Sequence, residues 1–328
     1  MNKKILTTML FMFSLLFLTA CSKEEVGTIN EEGELKVYTT IYPFQYFTER
    51  IGGEYVAVEN LIPPGSDAHS VEITMKNVTN VAESKAFIYS GTALEGFANA
   101  VIDAVQDEDV KIVNATEGID FINGVEDTGS EEEGTEEHEN ESEEEHAEHS
   151  EGINIDPHVW LDPNRSITIA KNIKNALIEI SPKNTEVFER NFNSVIEELE
   201  MLDEAFKSKL ANADSNTFLV SHSAYGYWES VYGLKQIGIS GLSPTDEPSH
   251  KELIEIIELV NEQKLQYIYF EPNLTNKVAA SVQRETGLNA LTLNNLESIS
   301  EENIKNNEDY FTIMKDNIEA LEQGLIQK

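Results

Sequence analysis

Short apolar runs rich in β-branched and aromatic residues recur along this chain with helical periodicity between them, and no other feature narrows its fold as far. The runs are 35–41, 86–90 and 110–114, then 217–221, 266–270 and 288–293. Strand, helix and strand in succession is the pattern of a parallel sheet, because parallel neighbours need a crossover connection. Two separated sets of runs predict an α/β protein of two lobes, each with a mostly parallel sheet. One helix start is explicit: Ser249 is followed three residues later by Glu252, a capping box. An apolar stripe then runs through Leu253, Ile256, Ile257 and Val260. The longest periodic segment begins at Ser181-Pro182, with proline suited to a first turn. Val187, Phe188, Phe192, Val195, Ile196, Leu199, Leu202, Phe206 and Leu210 follow at spacings of mostly three and four. A helix over 182–211 would be roughly 45 Å long at 1.5 Å per residue. That exceeds what either lobe needs and suits a rigid spine between them.

The N-terminus carries a different signal. Lys3 and Lys4 precede the uncharged stretch 5–19, which ends in Leu18-Thr19-Ala20-Cys21. That stretch has the length of a signal-peptide core and falls short of the ~20 residues that span a bilayer. Small residues before a cysteine resemble the cleavage box of bacterial lipoproteins, whose cysteine receives a diacylglyceryl group. The competing reading is an N-terminal anchor helix with an incidental cysteine. Cys21 is the only cysteine of the 328 residues. Once lipidated it leaves no thiol, which excludes a thiolate metal site, an Fe–S cluster and a cysteine nucleophile. Any metal site must use nitrogen and oxygen. Two acyl chains anchor stably where one is marginal.

Charge excludes further partners. Without residues 1–20 the chain keeps 21 basic and 60 acidic residues, a formal charge of −39. Such a surface repels nucleic acid and anionic headgroups and concentrates cations, within the ~10 Å that salt permits. Residues 126–151 hold 14 acids, His138, His146 and His149, and no base. This composition cannot bury enough apolar surface to order itself. It reads as an acidic solvating loop or as a loose collector of divalent cations, with imidazole favouring Zn²⁺, Cu²⁺ or Ni²⁺. The entropy lost on chelation argues against its being the tight site.

Of the other four histidines, His250 falls in the Ser249 helix start and reads as structural. His69 follows Pro63-Pro64-Gly65-Ser66-Asp67-Ala68, His158 lies in Asp156-Pro157-His158-Val159-Trp160-Leu161-Asp162-Pro163, and His222 in Ser221-His222-Ser223-Ala224-Tyr225-Gly226-Tyr227-Trp228. Each stands in a turn near a predicted strand. Loops at the carboxyl ends of parallel strands are where α/β folds hold ligands. Singly, each histidine is more often structural; three in this setting, in an exported chain without thiols, point to a metal.

These blocks, with Glu271-Pro272-Asn273 and the acidic His-containing insertion before His158, resemble the zinc- and manganese-binding lipoproteins of ABC importers, in the ZnuA/AdcA-like branch of the cluster A-I substrate-binding proteins. The resemblance covers essentially all of the chain from Leu35. It implies two α/β lobes joined by one long rigid helix, with the metal in the cleft between them. It implies His69 and His158 as ligands from the first lobe, His222 as the third, and a carboxylate from the last loop of the second lobe. In that loop many relatives carry Asp where this chain has Asn294, so the carboxylate assigned is Glu297, with water as its rival. Glu271 is read as structural or as a partner of a ligand. Asp67, Asp156, Asp162 and Glu72 are candidates to orient the rings.

The expected cargo is Zn²⁺. Three imidazoles and one carboxylate make a tetrahedral site, whereas the manganese branch replaces the third histidine by glutamate. The resemblance implies a lipid-anchored receptor on the extracellular face of a bacterial membrane, delivering Zn²⁺ to an ABC importer permease, held through Cys21 and monomeric. The expected organisation is a signal peptide 1–20, a tether 21–34, a first lobe 35–181, a linking helix 182–211 and a second lobe 212–328. Two readings compete on the same fold: a manganese or iron receptor, and a surface adhesin. An enzyme is not expected, since no HExxH, GxSxG, P-loop or dinucleotide fingerprint occurs. Protonation of the imidazoles below about pH 6 is expected to weaken metal binding.

Overall fold

The computed structural model describes residues 34–124, 155–272, 274 and 276–326. Cys21, the segment 126–151 with His138, His146 and His149, and Asn273 lie outside the described residues.

Two four-stranded parallel sheets share one topology. The first contains β1 (Leu35–Thr39), β2 (Val56–Asn60), β3 (Ala86–Tyr89) and β4 (Lys111–Asn114) in the order β2-β1-β3-β4. The second contains β5 (Thr217–His222), β6 (Lys235–Ser240), β7 (Tyr267–Phe270) and β8 (Asn289–Thr292) in the order β6-β5-β7-β8. In each the winding reverses between the first and third strands, at β1/β3 and β5/β7. Such a switch point leaves a crevice at the carboxyl ends of the strands.

The central strands are the apolar runs of the sequence: β5 is buried along its whole length, as strands covered on both faces must be. Strand β2 is the strand-like run ahead of the His69 loop, whereas β6 was not expected. Both lie at sheet edges, and each mixes buried residues with half-buried and exposed ones. Polar Glu59 and Asn60 mask the first, and Gly238 interrupts the second. A Cβ at Gly238 would lie 1.9 Å from Ser223 Oγ, so a strand-weakening residue stands there because the neighbouring chain passes too close for any other.

The helices are α1 (Tyr42–Gly52), α2 (Met75–Ala82), α3 (Ala98–Val105), α4 (Pro163–Ile180), α5 (Thr185–Leu210), α6 (Gly226–Tyr232), α7 (His250–Gln263), α8 (Lys277–Thr286), α9 (Glu301–Asn306) and α10 (Tyr310–Leu325). The Ser249–Glu252 capping box starts α7 as the sequence predicts. The long helix does not begin at the proline: Pro182–Asn184 form a 3-10 turn and α5 follows for 26 residues, about 39 Å. Phe188, Phe192, Val195, Leu199, Leu202 and Phe206 are its buried stripe. The stripe packs on α1 and α4 of the first lobe and on α10 and α6 of the second. One apolar core therefore runs through both lobes, and a smaller one lies on the outer face of each sheet.

Hydrogen bonds also stitch the lobes together. Trp160 Nε1–H donates to the Asn295 carbonyl (2.7 Å), and the Tyr310 hydroxyl to the Trp160 carbonyl (2.6 Å). Trp228 Nε1–H reaches the Leu161 carbonyl (2.8 Å), and the Tyr227 hydroxyl the Asp156 carbonyl (2.8 Å). All are buried. Their loss leaves unpaired groups in a low-dielectric interior, which opposes any wide opening of the cleft.

Candidate metal centre

Four side chains from four loops converge between the lobes. His69 ends the Pro-Gly loop after β2. The Asp67 carboxylate accepts the His69 backbone N–H (3.0 Å), tightening the turn, and Gly65 N–H donates across the cleft to the Ile299 carbonyl (2.9 Å). His158 sits on a turn organised by Asp156, whose Oδ1 accepts both its backbone N–H (2.9 Å) and its ring Nδ1–H (2.8 Å). A 3-10 turn, Val159–Leu161, leads from it into α4, which Asp162 caps. His222 is the last residue of β5, at the switch point of the second sheet, and its Nδ1–H donates to Glu271 Oε1 just beyond β7. Glu297 follows β8 on a tight turn in which Leu296 takes a left-handed φ of 64°. Strain of that kind persists where the surroundings over-determine it. Here the Glu297 carbonyl accepts Tyr42 N–H (3.1 Å) from the start of α1, and Asn294 Oδ1 accepts Leu296 N–H (2.8 Å).

A carboxylate only accepts, so the ring nitrogens facing Asp156 and Glu271 are the donors. The Nε2 atoms of His158 and His222 then face inward, and each offers a lone pair when its ring is neutral. Glu297 Oε1 stands 3.0 Å from His158 Nε2, 3.5 Å from His69 Nε2 and 3.9 Å from His222 Nε2. The ligand atoms of all four residues lie within 4.8 Å of one another. Ligand bonds of about 2.0–2.2 Å make the edge of a tetrahedron roughly 3.3–3.6 Å, so a modest inward shift of the rings would seat one four-coordinate ion. Of these atoms only His158 Nε2 and Glu297 Oε1 are within hydrogen-bonding distance of each other. His69 Nε2 and His222 Nε2 are buried without a hydrogen-bond partner, a costly state unless a cation relieves it.

Electrostatics point the same way. Asp156, Glu271 and Glu297 are all buried, and among the described residues no lysine or arginine pairs with any of them. Burial alone would lower the His158 pKa, but the adjoining Asp156 and Glu297 carboxylates outweigh it and push it up to about 10. Burial alone would raise that of Glu297, yet the His158 and His69 rings beside it hold it well below the usual carboxylate range. Buried carboxylates require compensation. The pull that favours a proton on His158 favours a divalent cation among the four atoms equally. His158, His222 and Glu297 are almost wholly enclosed and His69 is half-buried, so His69 marks the side of approach. A small cleft of about 160 Å³, bordered by Ile62, Pro64 and Ser298, opens beside the same two loops.

Of the carboxylates offered by the sequence as ring-orienting partners, Asp156 takes that role for His158. Asp67 holds backbone instead, Asp162 caps α4 and pairs with Arg165, and Glu72 is exposed. Glu271 orients His222. Asn294 spends its side chain on the turn. His250 is exposed at the start of α7. Asn295 was missed: its side chain joins Glu271 to Glu297 (3.2 and 3.0 Å). A neutral residue beside another asparagine carries no sequence signal for this. Gly226 was missed too. A Cβ there would come within 2.5 Å of Asp156 Oδ2 and 3.1 Å of Ile122 Cδ1. Gly226→Ala is expected to displace Asp156 and to cost about 1–3 kcal/mol by overpacking, read as a lower urea midpoint at unchanged m-value.

A family model described as "ZnuA: Zinc-uptake complex component A periplasmic" matches residues 37–324. The chain is 37% identical over 313 residues to the zinc-binding lipoprotein AdcA of Streptococcus pneumoniae, which covers 95% of this chain and 59% of that protein. It is 35% identical over 315 residues to the high-affinity zinc uptake system protein ZnuA of Bacillus subtilis, covering 95% of each. Among solved structures it is similar to the Zn(II)-bound ZnuA-like domain of Streptococcus pneumoniae AdcA, with a TM-score of 0.72 at 34% identity over 90% of this chain and 100% of that one. The chain thus spans about three fifths of the length of the AdcA proteins it matches.

Proposed function

This chain belongs to the ZnuA family of zinc-uptake components, and from that premise we propose that it captures Zn²⁺ between its lobes and hands it to the permease of an ABC importer. One observation carries the reading: three imidazole Nε2 atoms converge on one carboxylate oxygen, and two of them, those of His69 and His222, are buried without a hydrogen-bond partner. His69, His158 and His222 supply nitrogen and Glu297 supplies oxygen to a zinc ion that sheds its water on entering. Asp156 and Glu271 fix the two innermost rings in the ligating tautomer and raise their basicity. Zinc here is cargo. Four side chains fill the tetrahedron, whereas a catalytic zinc keeps a position open for water. Imidazole as the third ligand favours zinc over manganese, which prefers harder oxygen donors.

On the same reading, residues 1–20 are a cleaved signal and Cys21 bears the lipid. Residues 21–34 are a tether, and 126–151 concentrates cations near the cleft through His138, His146 and His149. Residues 35–181 and 212–328 are the lobes, 182–211 links them, and the receptor works as a monomer on the outer face of the membrane. No helix among the described residues is long and apolar enough to cross a bilayer.

The test is a competition titration of residues 22–328 against a zinc chelator, beside the same protein lacking 126–151. The expected result is one tightly held Zn²⁺ per chain, far weaker Mn²⁺ binding, and an affinity unchanged within a few-fold by the deletion. Zinc binding that vanished with 126–151 would assign the tight site to the acidic segment and overturn this reading.

A further inference from the structure

We propose that Asn295 is the positioning residue that keeps the centre four-coordinate, and through that sets its preference for zinc over manganese. The inference rests on the zinc centre proposed above.

Asn295 is buried, with 7% of its surface exposed, and its side-chain amide and its carbonyl are all engaged. Its Oδ1 accepts Glu297 N–H (3.1 Å). Its Nδ2 donates to Glu297 Oε1 (3.0 Å) and to Glu271 Oε2 (3.2 Å). Its carbonyl accepts Trp160 Nε1–H (2.7 Å) from the other lobe. The orientation of the amide follows from its partners: reversed, it would set an oxygen against two carboxylates and a nitrogen against an N–H.

Two consequences follow. One neutral group stands between two buried carboxylates. It holds Glu271 on the ring of His222 and Glu297 on the three Nε2 atoms. Further, Nδ2 bonds the same Glu297 oxygen that faces all three imidazoles. That bond, with the anchored Glu297 N–H, restrains the terminal torsion of the carboxylate, so Glu297 presents one oxygen. A fixed single oxygen and three imidazoles make four ligands, which satisfies Zn²⁺. Manganese takes six, mostly oxygens. It gains from a carboxylate free to turn both oxygens inward and from room for water. Asn295 denies it the first through its hydrogen bond and the second through its bulk.

The experiment compares the wild-type chain with Asn295→Ala and with Asn295→Leu, which removes the donors but keeps the volume. Zn²⁺ and Mn²⁺ affinities are measured by chelator competition, and Co²⁺ serves as a spectroscopic probe of coordination number. In the wild type Co²⁺ is expected to show the intense visible absorption of a tetrahedral ion. In both variants zinc affinity is expected to fall about 10- to 100-fold, as for other residues that hold metal ligands. Manganese affinity stays level or rises, so the zinc-to-manganese ratio drops at least tenfold. The Co²⁺ absorption weakens towards that of a five- or six-coordinate ion. Proportional loss of both metals with an unchanged Co²⁺ spectrum would reduce Asn295 to a structural residue and overturn the proposal. So would variants indistinguishable from wild type. A wild-type chain that bound no zinc would sink the zinc centre itself and Asn295's role with it.

Discussion

Replacing His222 by alanine is expected to weaken zinc binding by about a hundred- to a thousandfold. Four-ligand protein zinc sites bind with about 10–16 kcal/mol in all, which apportions roughly 3 kcal/mol to each ligand. At 1.4 kcal/mol per tenfold, that is two to three decades in affinity. His222 also has further to fall than His69. It is almost wholly buried, and its removal leaves Glu271 in the interior with only Asn295 as a hydrogen-bond partner among the described residues. Some of that unpaired charge will be met by water entering the space of the ring, so apo stability should decline as well. Chelator competition separates the two effects, because it reads metal affinity on chains that circular dichroism shows to be folded. An affinity within tenfold of wild type would mean that zinc sits elsewhere. The substitution His222→Glu, which imitates the manganese branch, carries its own difficulty here. It would set a second carboxylate against Glu271, and like charges at that range push one of the pair towards the protonated form.

How much of this was legible depends on how far apart the cooperating residues stand. Local signals read well: the Ser249–Glu252 box, the stripe from Phe188 to Phe206, and the buried central strands are each written within a few residues. The Asp156–His158 pair was only one of four candidates, because the same spacing in Asp67–His69 leaves the carboxylate on the backbone and not on the ring. Strand β2 showed only as a strand-like run before the His69 loop, and β6 did not show, because Lys235, Gln236 and Gly238 leave it with only Ile237 and Ile239 as apolar residues. The convergence of His69, His158, His222 and Glu297 was not readable from spacing at all. Histidines in loops at strand ends suggested a metal, but the meeting of loops from two sheets is a property of the whole packing. Glu297 came from resemblance to a family. The pairing of Glu271 with His222, 49 residues apart, and the bridging by Asn295 depend on tertiary contacts. Neither leaves a mark on the local sequence.

Trp160 offers the sharpest test of whether the two lobes are one cooperative body. It is fully buried in the core that runs through both, its ring lies 5.5 Å from that of His158, and its Nε1–H bonds the carbonyl of Asn295 on the other side. Trp160→Ala is expected to cost about 3–5 kcal/mol, as large-to-small changes in well-packed cores do. For a chain of this size that is a fall in Tm of roughly 5–8 °C. Trp160→Phe keeps most of the apolar body but orphans the Asn295 carbonyl, at a cost of about 1–3 kcal/mol. Comparing the two divides the packing from the hydrogen bond. Because the core is shared, calorimetry should show a single transition that moves as a whole in both variants. Two transitions, with only one displaced, would mean that the lobes melt independently and that the cleft is free to hinge. A single transition would place metal capture in the four loops alone: the lobes stay fixed while His69, the least buried ligand, admits the ion and closes over it. Small-angle scattering with and without zinc checks the same point. Equal radii of gyration are expected, since a helix of 26 residues packed on both lobes leaves no joint about which they could swing.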